Sequence, residues 1–222
     1  MGTLLTDIAD LVLGRRCSGC DEGSTLLCPA CDATIQGRAH IVRDLRFNDI
    51  QEDLRIPLAA AHTYTPPMST LIYRYKDAHI PALAPILAGY LENAINVLAI
   101  APDPTLVPIP TRKAATRRRG FDSMGLISRH LQKSGHRVEI SLTDNRSAGT
   151  SKSLDSRLRS LEVQDAFAIT SAAQGLIRKM TPVILFDDVT TTGSTLKEAA
   201  TVLMQAGVHV VGAAAIAGAR KR

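Results

Sequence analysis

Val183-Ile184-Leu185-Phe186 runs directly into Asp187-Asp188-Val189-Thr190-Thr191-Thr192-Gly193-Ser194-Thr195. Four apolar residues between Pro182 and two carboxylates predict a strand buried on both faces. Thr195 and Glu198 have capping-box spacing, and Leu196, Ala199, Ala200 and Leu203 recur at helical period until Gly207. Strand, small polar loop and helix start form a phosphate cradle, because free N–H groups and the positive dipole end face an anion. Asp187 and Asp188 fall at the strand's carboxyl end, where open α/β sheets bind ligands. Ionised carboxylates only accept hydrogen bonds, so a sugar's vicinal hydroxyls suit them. Phosphate and diol together describe a ribose 5-phosphate. Without a ligand or metal, the adjacent charges of the two aspartates are expected to strain one another. A nucleotide-binding Walker loop does not fit, since Lys197 lies inside the helix rather than at the loop's end.

At 222 residues the chain accommodates one α/β domain and a small appendage. Apolar residues make up 45% but aromatics only 4%, and Trp is absent, so the core must be aliphatic and rich in alanine. A formal charge of +5 favours anionic ligands, leaving a phosphorylated metabolite, nucleic acid and a membrane surface all open. Near the N-terminus Asp7 and Asp10 interrupt the apolar run, which argues against a signal peptide. Leu4, Ile8, Leu11 and Val12 fall instead on one face of a short helix. No stretch approaches the roughly 20 apolar residues that span a bilayer, so a cytoplasmic protein without membrane insertion is expected.

Cys17-Ser18-Gly19-Cys20 and Cys28-Pro29-Ala30-Cys31 supply four thiolates, the set that closes a tetrahedral zinc shell. With no open position, such a site is structural. Two disulfides do not suit a reducing cytosol, and a redox pair needs one Cys-x-x-Cys; an iron site with these ligands stays open. Residues 1–40 are therefore expected to form a helix and a metal ribbon, and 55–222 the main domain. Arg38 to Asp53 reads as the link, with His40 at the surface.

Along the main domain, Ile56 to Thr65 predicts a strand, Ser69 to Tyr75 a helical turn, and Leu83 to Leu98 a helix. Tyr73-Arg74-Tyr75-Lys76 interleaves aromatics and cations, placing Lys76 either in solvent, at a pyrophosphate or on a nucleic acid. Leu106 to Pro110 predicts a short strand, followed by five cations in eight residues: Arg112, Lys113, Arg117, Arg118 and Arg119. Their mutual repulsion makes sense against an acidic ligand. Met124, Ile127 and Leu131 have helical spacing; Val138 to Leu142, Ala166 to Thr170 and His209 to Ala217 read as strands. Thr143 to Ser160 reads as a polar loop able to fold over a ligand, and Arg220 to Arg222 as a loose basic tail.

The stretch Val183 to Thr195 resembles the phosphoribosyl-pyrophosphate (PRPP) signature of type I phosphoribosyltransferases. With the double Cys-x-x-Cys ahead of it, and Val107-Pro108-Ile109-Pro110 and Arg118-Arg119-Gly120-Phe121 between, the chain resembles the ComF family of competence-protein-F-like (GntX-like) proteins. The resemblance implies a type I phosphoribosyltransferase fold, an open and mostly parallel twisted sheet flanked by helices, behind a small zinc ribbon. It implies that Asp187 and Asp188 hold the ribose hydroxyls and that Thr190, Thr191, Thr192, Gly193, Ser194 and Thr195 hold the 5-phosphate. Lys76 and the Arg112 to Arg119 run would meet pyrophosphate and its Mg2+. It further implies transfer of a phosphoribosyl group with release of pyrophosphate, although no residue declares itself a general base. Alternatively it implies an accessory protein of DNA uptake, acting as a homo-oligomer or with uptake partners. There the ribbon, the basic run and the tail would meet single-stranded DNA, with Tyr73, Tyr75 and Phe121 for stacking. Ala148, Ser151 and Glu162 depart from the family's Thr, Gln and Asn, while Arg159 keeps its place, and Asp122-Ser123 replaces Asn-Gln. These polar losses argue against a shared second substrate.

Overall fold

The computed structural model describes residues 16–23, 25–36, 40–47, 50, 53–100, 103–145 and 166–219. The helix expected around Leu4, the departures between Ala148 and Glu162, and the basic tail lie outside the described residues, as does the His40 side chain. In chain order the elements are α1 (Pro29–Ile35), β1 (His40–Arg46), β2 (Arg55–Thr63), α2 (Met68–Lys76), α3 (Ala84–Val97) and β3 (Thr105–Pro108). They continue as α4 (Lys113–Arg119), α5 (Ser123–Lys133), β4 (Leu142–Asp144), β5 (Phe167–Ile169), α6 (Ala173–Lys179), β6 (Val183–Thr190), α7 (Ser194–Gln205) and β7 (Val210–Gly218).

Five strands form one mixed sheet in the order β1-β2-β7-β6-β3. Every pairing is parallel except that of β1 with β2. The apolar run of β6 sits between β7 and β3 and is buried on both faces, as its composition demands. Ile184 and Phe186 point with Leu106, Ala214 and Ile216 toward α2, α3 and α5. Val183 and Leu185, of opposite parity, join Leu58, Val107 and Ala213 beneath α6 and α7. The helix after β3 therefore covers one face and the helix after β6 the other. That divergence opens a crevice at the carboxyl ends of β3 and β6, the switch point of the sheet.

Local differences from the sequence reading each have a physical cause. The link contains β1, which the charges of Arg43, Asp44 and Arg46 conceal because an edge strand pairs through its backbone. Val138 to Leu142 is not one strand: Val138 makes a single bridge to Leu106, and Leu142–Asp144 turns away to pair with Phe167–Ile169. The basic run is mostly a helix, not a loop. α4 ends at Gly120 (φ 76°), and Arg117, Arg118 and Arg119 occupy its last turn, where the carboxyl end of the dipole favours cations. The Thr195–Glu198 capping box does not form, since Gly193 is the N-cap and Glu198 instead accepts from the Ala166 N–H at 3.2 Å.

Alanine fills the centre of the sheet. Gly212-Ala213-Ala214-Ala215 of β7 lets the flanking helices approach, and a Cβ on Gly212 would lie 2.8 Å from Ile100 Cδ1. Ala214→Leu should therefore overpack the face beneath α3 and cost about 1–3 kcal/mol. Urea unfolding should show a lower midpoint with unchanged slope; an unmoved midpoint would mean that this strand has space to spare.

Candidate functional site

The crevice holds a cavity of about 220 Å³, lined by Lys76, Arg112, Arg119, Asp187, Asp188 and Thr195 among others. A larger hollow of about 600 Å³ beside the cysteines, walled partly by Pro66 and Pro67, has no cation in its lining. The smaller cavity is where opposite charges converge.

Asp188 has the parity of Ile184 and Phe186, so it faces α2. There Lys76 lies one helical turn after the buried Ile72, its stem following the apolar stripe while its ammonium stays in the crevice. Lys76 Nζ stands 2.5 Å from Asp188 Oδ2, with Asp188 only 8% exposed. The strain expected between the aspartates is thus relieved from within the protein. Asp187 Oδ1 accepts the Asp188 N–H at 2.8 Å, which fixes its carboxylate against the strand.

Of the six cations expected at an anion, Lys76, Arg112 and Arg119 reach the cavity. Lys113, Arg117 and Arg118 do not: they lie exposed on α4, and Arg118 Nη2 makes a long 3.5 Å contact with Asp77. The Nε of Arg119 and the Oγ1 of Thr190 are buried without a hydrogen-bond partner among the described residues. Each such group costs about 1–3 kcal/mol; Arg119 lines the cavity, whereas Thr190 is not among the described residues that line it.

The loop after β6 brings Thr191 and Thr192 to the surface and Gly193 into contact with β1. Gly193 adopts φ 79°, and an added Cβ would lie 2.8 Å from Leu45 Cδ2 and 2.9 Å from Arg43 Nη2. The positive φ favours glycine, whereas the close atoms are the far ends of two flexible side chains that can shift. Thr192 Oγ1 donates to Ser194 Oγ at 2.9 Å and accepts from the Ser194 N–H at 3.3 Å, so the loop gathers hydroxyls and first-turn N–H groups at the start of α7. Arg43 Nη2 donates to the Thr191 carbonyl at 2.7 Å. Nothing in the sequence pattern points to Arg43, because it lies 148 residues away in a charged link.

The opposite wall is tied down by Tyr75, which is fully buried and donates to the Ser123 carbonyl at 2.5 Å. Burial, then the carboxylates of Asp122 and Asp188, push its phenol pKa up, so it remains a neutral donor. Its ring meets Phe121 at 5.4 Å and 55°. Tyr75 is thus unavailable as a stacking platform, leaving exposed Tyr73 as the open aromatic of that segment. Asp122 caps α5 by accepting the Gly125 N–H at 3.1 Å.

The four cysteine sulfurs lie within 4.8 Å of one another, and none forms a disulfide. Tetrahedral zinc with bonds of about 2.3 Å separates its sulfurs by about 3.8 Å, the distance found between Cys20 and Cys28. The Gly19 and Cys28 N–H groups donate to Cys17 Sγ at 3.3 and 3.2 Å. Burial opposes the Cys17 thiolate, but backbone N–H groups outweigh it and lower the thiol to about 6. Burial and the neighbouring sulfurs push the Cys31 thiol up, as expected for crowded thiolates with no cation between them. This donor set fits a structural zinc ion. Arg74 joins the cluster to α2, donating to the Cys17 carbonyl at 3.4 Å and to Asp21 Oδ1 at 3.0 Å.

The fold and crevice define an α/β protein with a groove lined by both acidic and basic side chains and with a cysteine cluster. No protein-family model matches the chain. It is 30% identical over 166 residues to the DNA utilization protein YhgH of Salmonella typhi, covering 69% of this chain and 68% of that protein. It is also 30% identical over 160 residues to the DNA utilization protein YhgH of Escherichia coli strain K12, with the same coverage. The chain belongs to the family of these DNA utilization proteins. Among the described residues no helix is long and apolar enough to cross a membrane.

Protein purified under reducing conditions should carry about one zinc per chain by elemental analysis. Cys28→Ser should lose it, and acidification should release it from the parent as protons compete for sulfur. Metal-free protein with four intact thiols would overturn the assignment.

Proposed function

We propose that the chain serves DNA utilization by binding a phosphoribosyl ligand, PRPP or another ribose 5-phosphate, in the crevice between β3 and β6. One observation carries this reading: the acid pair, three cations and Thr195 converge on a single cavity at the switch point of the sheet. Asp187 and Asp188 accept hydrogen bonds from the ribose hydroxyls, with Lys76 balancing the pair. The Thr190 to Thr195 loop takes the 5-phosphate, and Arg112 and Arg119 face the negative charge at the sugar's other end. A mostly parallel sheet flanked by helices, with the acid pair at the carboxyl end of β6, supports the reading of a type I phosphoribosyltransferase fold. Two carboxylates, one already engaged by Lys76, make no dedicated magnesium cage. Mg2+ is proposed to arrive with the pyrophosphate, supplying neutralising charge. Among the described residues neither histidine nor cysteine lines the cavity; in a transfer reaction the same cations would stabilise departing pyrophosphate. A reducing cytoplasm, the proposed compartment, would keep the four thiols available for metal.

A second reading is favoured by the relatives' name and by the exposed cations of α4. Lys113, Arg117 and Arg118, with Tyr73, would contact single-stranded DNA outside the crevice. Titration with labelled single-stranded DNA at increasing salt should then give a log–log slope worth several phosphates. Flat or absent binding at low salt would remove this reading and leave the crevice reading untouched.

Thermal melts test the crevice directly. PRPP with magnesium should raise the parent's melting temperature by mass action on the folded state. Asp187→Asn with Asp188→Asn removes two charged acceptors worth ~1.5–3 kcal/mol each, so affinity should fall tenfold or more. The ligand-induced shift should vanish, and the unliganded variant should melt below the parent because Lys76 loses its counter-charge. An undiminished shift in the double variant would show that these aspartates do not read the ribose.

A further inference from the structure

β1 enters the sheet with a register irregularity between Ile41 and Arg43. Such a bulge re-aims the side chain beside it. Here it sends the Arg43 guanidinium across the sheet edge onto the loop after β6. Nη2 donates to the Thr191 carbonyl at 2.7 Å, and the loop packs at Gly193 against the ends of the Leu45 and Arg43 side chains. The Nε of Arg43 is buried and has no partner among the described residues, while burial of the group opposes its charge. A guanidinium offers five donors in a rigid plane and is costly to desolvate unpaired. A cation held this way against a loop of hydroxyls and helix N–H groups is suited to an oxyanion.

We infer that Arg43 is a ligand-positioning residue of the crevice, an inference that rests on the phosphoribosyl reading above. Arg43 is not among the described residues that line the cavity, and it acts through Thr191, holding the loop in the shape in which its own N–H groups meet the 5-phosphate. The strand that links the cysteine cluster to the main sheet therefore completes the phosphate end of the site. The site should accordingly select ligands that carry a phosphate on the sugar, and not merely a sugar or a pyrophosphate.

Isothermal titration of the full zinc-loaded chain with ribose 5-phosphate, and separately with inorganic pyrophosphate, tests this. Relative to the parent, R43Q should lose roughly tenfold in affinity for ribose 5-phosphate, as for a missing charge-assisted hydrogen bond. Pyrophosphate, held by Arg112 and Arg119, should change by less than about twofold. R43K restores the charge without the planar fork and should recover part of the loss; it also serves if R43Q folds poorly, as zinc content and melting will show. An equal loss for both ligands, with no recovery in R43K, would reduce Arg43 to a structural brace and overturn the inference. Parent-like binding by R43Q would overturn it as well. A parent that binds pyrophosphate but not millimolar ribose 5-phosphate would remove the phosphoribosyl reading itself, and this inference with it.

Discussion

A carboxylate that is 8% exposed at the end of a buried strand needs a cation, and Lys76 supplies it to Asp188 at 2.5 Å. Removing one partner of a buried pair leaves an uncompensated charge, typically a loss of about 3–5 kcal/mol. The position of α2 is therefore bound to that of β6. α2 is fixed in turn through other residues of its last turn. Tyr75 ties it to the start of α5 through the Ser123 carbonyl, and Arg74 ties it to the cysteine cluster through Cys17 and Asp21. Three consecutive residues on one helix thus address the metal cluster, the neighbouring helix and the acid pair.

That arrangement gives the cysteine cluster a part in the geometry of the crevice. A metal shell fixes the Cys17 loop, and Arg74 reads the position of that loop two residues from Lys76. The cluster is also packed into the body of the protein: Ile35 of α1 joins the core under α2 and α3, and Tyr90 donates to Asp32 Oδ1 at 2.5 Å. Ordering energy from metal binding can therefore reach the site through side-chain contacts rather than through the linking strand alone.

The sequence made legible those features that depend on local pattern. The buried β6, its acid pair, the glycine loop and the following helix are adjacent residues whose chemistry needs no knowledge of the rest. The same holds for the four cysteines. What stayed hidden depends on distance along the chain. Lys76 meets Asp188 only because α2 packs on the face that even-numbered residues of β6 present. Arg43 meets Thr191 only because β1 adds to the sheet edge by backbone pairing, which leaves no apolar periodicity. The basic run shows its charge but not its division. Helical geometry turns Arg119 inward and Lys113, Arg117 and Arg118 outward, a separation that a count of cations cannot show.

That division of charge reconciles a small-ligand crevice with relatives named for DNA utilization. A cavity of about 220 Å³ is too small for a nucleic acid strand. On the proposed reading its inward cations meet one sugar phosphate, beside carboxylates that would repel a polyanion at close range. The outward cations on α4, of which Arg118 makes a long contact with Asp77, would on the second reading follow a phosphate backbone by electrostatics. α4 is short and ends at Gly120, directly before the segment whose Phe121 packs on Tyr75. Any shift of α4 on its outer face must therefore be felt by Arg119 on its inner face. A strand bound outside and a phosphoribosyl group bound inside would bias the same helix. By thermodynamic linkage, each would then alter the affinity for the other by an equal factor.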